Sequence, residues 1–254
     1  MPERNRRTNW ADRARRSLAR LRARKRRRHN AVHRLGGFRL SPRLTRREQQ
    51  LLAAWIAALD PRVRVRLPRL EVLPASSILR YGTKILLDAE AAHRGTLPPQ
   101  LRNGDRSTQA VSYVREKVIV LRQRLFRQRW LGQRLFYHEL CHFLWPRLGV
   151  RARKRFVRHL ECERARGLRG ELGYSAQYRK ARLLRNTGAG AKHLFRTIFQ
   201  GQAWREYACE SFCDTGAYAL ARAAGSRPAL RSVEFTLGAR RRPARLAAWW
   251  RTLV

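Results

Sequence analysis

Two histidines four residues apart, with a glutamate directly after the first, stand out in the segment FYHELCHFLW, residues 136 to 145. Side chains at i and i+4 of a helix project from one face, so His138 and His142 can offer two imidazoles to one metal ion. Glu139 is turned by about 100° from His138 and can still reach a metal-bound water. Zinc with a third protein ligand would acidify that water, and Glu139 would take its proton during attack on a peptide carbonyl. The pattern therefore predicts zinc-dependent peptide hydrolysis.

Three groups of side chains further along the chain are candidates to complete this metal site. Glu210 and Asp214 are four apart in ESFCD, inside a predicted helix, in a chain with only 17 acidic residues. His159 lies 17 residues after the second histidine of the motif, in a strongly basic segment. Cys209 and Cys213 are also four apart, and with the two histidines they would form a closed tetrahedron around a structural zinc. The third alternative leaves the glutamate of HELCH without a role.

HELCH and ESFCD together resemble the gluzincin branch of the HExxH metallopeptidases, over roughly residues 110 to 225. The resemblance implies that Glu210 is a zinc ligand and that Asp214 orients one ligating histidine through its other N–H. It also implies a zincin-like fold, in which an edge strand beside the active-site helix binds the substrate backbone. The expected edge strand is 118 to 121. HELCHFLW is also similar to the motif of SprT-like metallopeptidases, which act on DNA-associated proteins, and there His159 would be the third ligand.

Hydrophobic periodicity and end signals predict the elements that must position these side chains. A capping box of Thr45 and Glu48 begins the first helix, and Gly225 ends the helix that carries ESFCD. RVRVRL, residues 62 to 67, alternates apolar and basic residues as a half-buried strand does. The predicted helices cover residues 45 to 60, 128 to 145, 151 to 165, 203 to 225 and 245 to 254, and a further strand is centred on 118 to 121. An exposed loop is predicted at 93 to 107 and a flexible joint at 186 to 192.

Length, composition and charge set limits on the architecture and on the partners. The 254 residues, 44% of them hydrophobic, are enough for one packed domain and an extension. We expect an α+β, mostly helical zincin-like domain over residues 48 to 254, behind a flexible basic arm, residues 1 to 47. The arm has 18 basic residues and two acids, and the whole chain carries a formal charge of +41. Such a charge favours non-specific contact with nucleic acid or another polyanion. The alternative function is therefore a nucleic-acid-associated binding protein with the structural two-cysteine, two-histidine zinc.

Cysteine usage and hydropathy bear on the compartment. The first thirty residues contain no apolar segment typical of a secretory signal, and the longest nearly apolar run, residues 51 to 59, is too short to span a bilayer. We expect a cytoplasmic, bacterial protein whose cysteines are thiols or metal ligands, with Cys141 and Cys162 as ordinary packing residues. The sequence does not select the group that would stabilise the transition state among Tyr174, His193, Tyr207 and Tyr218.

Overall fold

The computed structural model describes residues 33–35, 37–41, 44–66, 70–74, 110–185, 201–226 and 233–254. Within these ranges the chain is mostly helical with a small sheet, which is the predicted α+β class. The strands are β1 His33–Leu35, β2 Phe38–Leu40, β3 Leu70–Pro74, β4 Ala110–Tyr113 and β5 Val118–Leu121. The helices are α1 Arg46–Ala57, α2 Pro61–Arg66, α3 Arg129–Leu144, α4 Val150–Ala165, α5 Tyr174–Arg185, α6 Gln202–Ala223 and α7 Arg242–Arg251. None of the described helices combines the length and the apolar character that crossing a membrane requires.

The sheet has the strand order β1-β2-β3-β5-β4, with parallel pairing in the middle and antiparallel pairing at both ends. The strand expected before the motif helix is present as β5, but the prediction that it lies at an edge is wrong. β5 pairs with β3 on one side and with β4 on the other, and all four of its residues are buried. A continuous apolar run such as VIVL is typical of an interior strand, because both of its faces are covered. Among the described strands, β4 is the edge on this side.

Local end signals account for the helices that the sequence predicts correctly. The capping box is present: the Thr45 side chain accepts the N–H of Glu48, and the Glu48 carboxylate accepts the N–H of Thr45. Helices α3, α4, α6 and α7 lie where they are expected, within about three residues at each end. The two 3-10 turns Gln123–Phe126 and Trp145–Arg147 flank α3.

Two regions differ from the expectations. The predicted strand at 62 to 67 is wrong, because Pro61–Arg66 forms α2. Asp60 begins this helix, accepting the N–H of Arg62 at 2.9 Å, and Pro61 sits at a first helical position, which needs no donor. Residues 33–41 of the predicted basic arm contribute β1 and β2, and Phe38 lies in the core. Residues 1–32, the predicted loop at 93 to 107 and the predicted joint at 186 to 192 lie outside the described residues.

Helices α3 and α6 pack closely against each other and carry the two sequence motifs. A Cβ atom at Gly216 of α6 would lie 2.4 Å from the Cys141 sulfur of α3 and 2.7 Å from the Trp249 ring. Only glycine therefore permits this approach of the two helices. One turn before Cys141 on α3, the Tyr137 hydroxyl donates to the backbone oxygen of Trp55, in α1, at 2.9 Å. The motif helix is thus held against both α1 and α6, with its histidines towards α6.

A buried ionic network joins the helices around this pair. Arg245 of α7 is fully buried and donates to Glu163 of α4, to Glu171 and to Ser211 of α6, at 2.8, 2.8 and 2.6 Å. Lys180 of α5 donates to the other oxygen of Glu171 at 2.8 Å. Burial opposes ionisation of Glu163, but its hydrogen bonds to His159 and Arg245 outweigh this effect and lower its pKa to about 2. The network fixes α4, α5, α6 and α7 relative to one another.

Candidate metal centre

The structure brings His138, His142 and Glu210 together between α3 and α6. The Nε2 atoms of the two histidines are 3.2 Å apart, and Glu210 Oε2 lies 3.5 Å from the first and 3.8 Å from the second. All three donor atoms lie within 4.8 Å of one another. Donors bound at 2.0–2.2 Å in a tetrahedral site are roughly 3.3–3.6 Å apart. The observed spacings therefore suit one transition-metal ion of zinc's size.

Asp214 fixes the orientation of His138. Its Oδ1 lies 2.8 Å from His138 Nδ1, and its Oδ2 accepts the backbone N–H of Ala176, in the first turn of α5, at 2.8 Å. A Cβ atom at Gly173 would lie only 2.2 Å from the Asp214 carboxyl carbon, so the chain before α5 packs directly on this carboxylate. With the proton held on Nδ1, the lone pair of Nε2 points into the cluster.

A thiol occupies the corresponding place beside His142. Cys209, directly before Glu210, places its sulfur 3.8 Å from His142 Nδ1, the nitrogen on the far side of the ring from the cluster. Cys213 follows one turn later on α6, and the donor atoms of these two cysteines and His142 also converge. In the described ranges His138 does not belong to this thiol group. The four side chains of the predicted structural site are therefore not gathered around one point.

Glu139 lies beside the cluster on the motif helix. The side chain is buried, and no hydrogen bond or ion pair joins it to another residue within the described part of the chain. It is close enough to His138 to favour the charged form of that imidazole. A carboxylate in this position retains its capacity to accept hydrogen bonds.

The electrostatics of the cluster favour a bound positive charge. Burial disfavours the charged form of His138, but Asp214 and Glu210 outweigh it and raise its pKa well above the ordinary value. The same balance, with Glu210 as the main partner, raises the pKa of His142 to about 9. Burial would raise the pKa of Glu210, but the two imidazoles lower it to about 2. These directions show that the cluster stabilises positive charge, which a bound divalent cation would supply in place of protons on the rings.

The other candidates from the sequence lie in different surroundings. His159 Nε2 is 3.1 Å from Glu163 Oε1, and this histidine belongs to neither of the converging groups. Tyr207 donates to Glu171 at 2.6 Å inside the ionic network, and Tyr218 packs against a phenylalanine ring and contacts an arginine. Tyr174 is exposed, and His193 lies outside the described residues.

Sequence reasoning missed α5, which supplies the support for Asp214. The buried face of this helix is Ala176, Lys180 and Leu183, so a lysine interrupts the apolar stripe that would have predicted it. Arg179 of the same helix forms an ion pair with Glu206, and its charge helps to lower the pKa of Glu210. The three buried residues have the i, i+4, i+7 spacing of a helix face. This spacing would have predicted α5 if a lysine with an ion-pair partner were counted as a buried residue.

Comparisons of the chain with protein families, with curated proteins and with solved structures found no match. The chemistry open to the site therefore follows from its own atoms. Two imidazole nitrogens and a carboxylate oxygen share a spacing suited to one metal ion, an aspartate orients one ring, and Glu139, next to His138 in the chain, is close enough to affect the charge of that ring. This arrangement can hold a metal with an open position and move a proton next to it.

Proposed function

We propose that this protein is a zinc-dependent metallopeptidase with a zincin-like fold, in which His138, His142 and Glu210 hold the zinc ion. The observation that carries the proposal is the convergence of these donors from two helices, with Asp214 bound at 2.8 Å to the far nitrogen of His138. Three protein ligands leave one position open, as catalytic zinc requires. When bound, zinc would polarise a peptide carbonyl and lower the pKa of water.

Glu139 is the general base in this proposal. Its position next to His138 in the helix brings the carboxylate to the side of the cluster, and the absence of a partner in the described residues leaves it able to accept a proton. Glu139 takes the proton from the attacking water and then delivers it to the leaving amine. Asp214 keeps the proton of His138 on Nδ1 throughout, so that Nε2 remains a ligand.

The edge strand β4 is the proposed binding surface for the substrate chain. β4 lies against α3, and its side chains are half-buried rather than covered on both faces. β4 ends the strand order of the described sheet on this side, and an extended peptide can add to a sheet at such an edge. The proposed path of the substrate backbone is therefore along β4 instead of along β5.

The test is Glu139→Gln, with Glu116→Gln in the exposed β4–β5 turn as the matched control. Zinc content is measured by mass spectrometry, and cleavage is measured as new amino termini in a mixed peptide library. We expect equal zinc in all three proteins, cleavage by the wild type and the control, and a loss of about 10²–10⁴-fold in Glu139→Gln. Equal cleavage by the wild type and Glu139→Gln would refute the mechanism.

A second candidate function, contact with nucleic acid, is favoured by one face of α4. Arg151, Lys154, Arg155 and Arg158 are exposed and lie at i, i+3, i+4 and i+7, so they form one basic stripe. None of them pairs with an acidic side chain within the described ranges. The first turn contains no acidic residue, and cations there oppose the helix dipole by about 0.3–1 kcal/mol each. Backbone phosphates would supply the missing counter-charge without sequence preference.

The basic stripe is tested by reversing Arg151 and Arg155 to Glu and measuring DNA affinity against salt concentration. Removing one phosphate contact should reduce the log–log slope by about 0.9 for duplex DNA. The matched control reverses Arg240 and Arg241, which are equally exposed before α7. The same slope in both variants would show that binding follows total charge and that α4 is not a distinct surface.

A further inference from the structure

The two sulfurs beside His142 form a group that the peptidase mechanism does not use. Cys209 Sγ lies 3.8 Å from His142 Nδ1, and the donor atoms of Cys209, Cys213 and His142 all lie within 4.8 Å of one another. Both cysteines are free thiols one turn apart on α6. Cys213 is buried and Cys209 is half-buried, so an ion can approach from the Cys209 side.

We infer that Cys209, Cys213 and His142 are a second metal-binding set, which takes a soft, thiophilic ion and competes with the zinc set for His142. Two thiolates and one imidazole are the donor types that soft ions such as Cu⁺ and Cd²⁺ prefer, whereas the other set offers nitrogen and oxygen. Binding releases the proton of each thiol as its metal–sulfur bond forms, and no oxidant is involved. The competition rests on the proposed zinc site, but the thiol set itself does not.

The competition follows from the two nitrogens of one ring. Neutral His142 has one lone pair and one N–H. Its Nε2 faces His138 and Glu210, while its Nδ1 faces Cys209. To bind a metal ion in the zinc set, His142 needs its lone pair on Nε2, and the N–H on Nδ1 then points to the sulfur. To bind an ion in the thiol set, it needs the opposite tautomer, so the neutral ring binds only one ion at a time.

The first experiment titrates the metal-free full-length chain with Cd²⁺ and follows the ultraviolet charge-transfer absorption of cadmium–thiolate bonds. We expect the absorption to saturate at about one Cd²⁺ per chain and to disappear in Cys209→Ser and in Cys213→Ala. Cys162→Ser, which changes an exposed thiol, is the matched control and should leave the titration unchanged. Circular dichroism confirms that each variant is folded. Undiminished absorption in folded Cys209→Ser and Cys213→Ala would overturn the assignment, as would its absence from the wild type.

The second experiment measures zinc affinity against a chromophoric chelator, before and after one equivalent of Cd²⁺. We expect Cd²⁺ to weaken zinc binding by at least tenfold in the wild type and by clearly less in a Cys209→Ser, Cys213→Ala double variant. An equal effect in both proteins would show that His142 is not shared. A thiolate absorption in a protein that binds no zinc would support the thiol set and count against the peptidase. Zinc binding without a thiolate absorption would contradict the thiol set and leave the proposed zinc site supported.

Discussion

Replacement of Asp214 by asparagine tests whether its carboxylate orients a metal ligand. The two side chains have nearly the same shape, so packing against Gly173 is retained. Asp214 accepts one hydrogen bond from His138 and one from the backbone of Ala176, each at 2.8 Å. Asparagine has only one oxygen, and its amide group must therefore face one of these two donors.

The two hydrogen bonds of Asp214 determine how much the substitution should weaken zinc binding. Leaving a buried donor without an acceptor costs about 1–3 kcal/mol. Loss of the group that orients a metal-bound histidine weakens metal binding about 10–100-fold, which corresponds to about 1.4–2.7 kcal/mol. The two ranges agree, so we expect the zinc dissociation constant of Asp214→Asn to rise 10–100-fold while the fold is kept.

Zinc affinity is measured by competition with a fluorescent chelator at fixed pH. Asp60→Asn is the matched control, because it changes an aspartate of a surface ion pair with Arg62. The control should bind zinc as the wild type does. A dissociation constant for Asp214→Asn within twofold of the wild type would refute the orienting role of this carboxylate.

Two further predictions concern the supporting structure. Gly173→Ala should displace the Asp214 carboxyl, weakening zinc binding more than tenfold and lowering the free energy of unfolding by about 1–3 kcal/mol. Gly149→Ala, where a Cβ meets no atom within 4 Å, should leave zinc binding unchanged. Glu163 has a folded pKa of about 2, below the ordinary value of 4.5, so its carboxylate stabilises the fold above pH 4.5 and this contribution falls as the pH drops towards 2. Urea unfolding at pH 7 and pH 3 should therefore show a smaller acid destabilisation in Glu163→Gln than in the wild type, by up to about 2 kcal/mol; equal destabilisation would contradict the prediction.

Features encoded over short distances are those that the sequence predicts well. The histidine spacing places His138 and His142 on one face because helix geometry alone decides it. The capping box and the glycine after α6 mark helix ends by local hydrogen bonding. RVRVRL fails for a related reason: its alternating residues fit a strand, but Asp60 and Pro61 form a stronger helix start.

The rest of the site depends on contacts between distant segments. The glycine before α5 and the first turn of that helix meet Asp214 from 38 or more residues away, and no local pattern encodes that approach. β5 is an interior strand because it pairs with β3, which lies more than forty residues earlier in the chain. Hydrophobic periodicity does not predict α5, because Lys180 lies on its buried face. The burial of this lysine is stabilised by its ion pair with Glu171, which a hydrophobic pattern does not include.

X-ray absorption at the zinc edge, on the full-length chain loaded with one equivalent of zinc, reports the ligand atoms themselves. If His138, His142 and Glu210 hold the ion, the nearest shell contains only nitrogen and oxygen at about 2.0–2.2 Å, with the pattern of two imidazoles. Sulfur at about 2.3 Å would place the first zinc on Cys209 and Cys213 and would contradict the catalytic site.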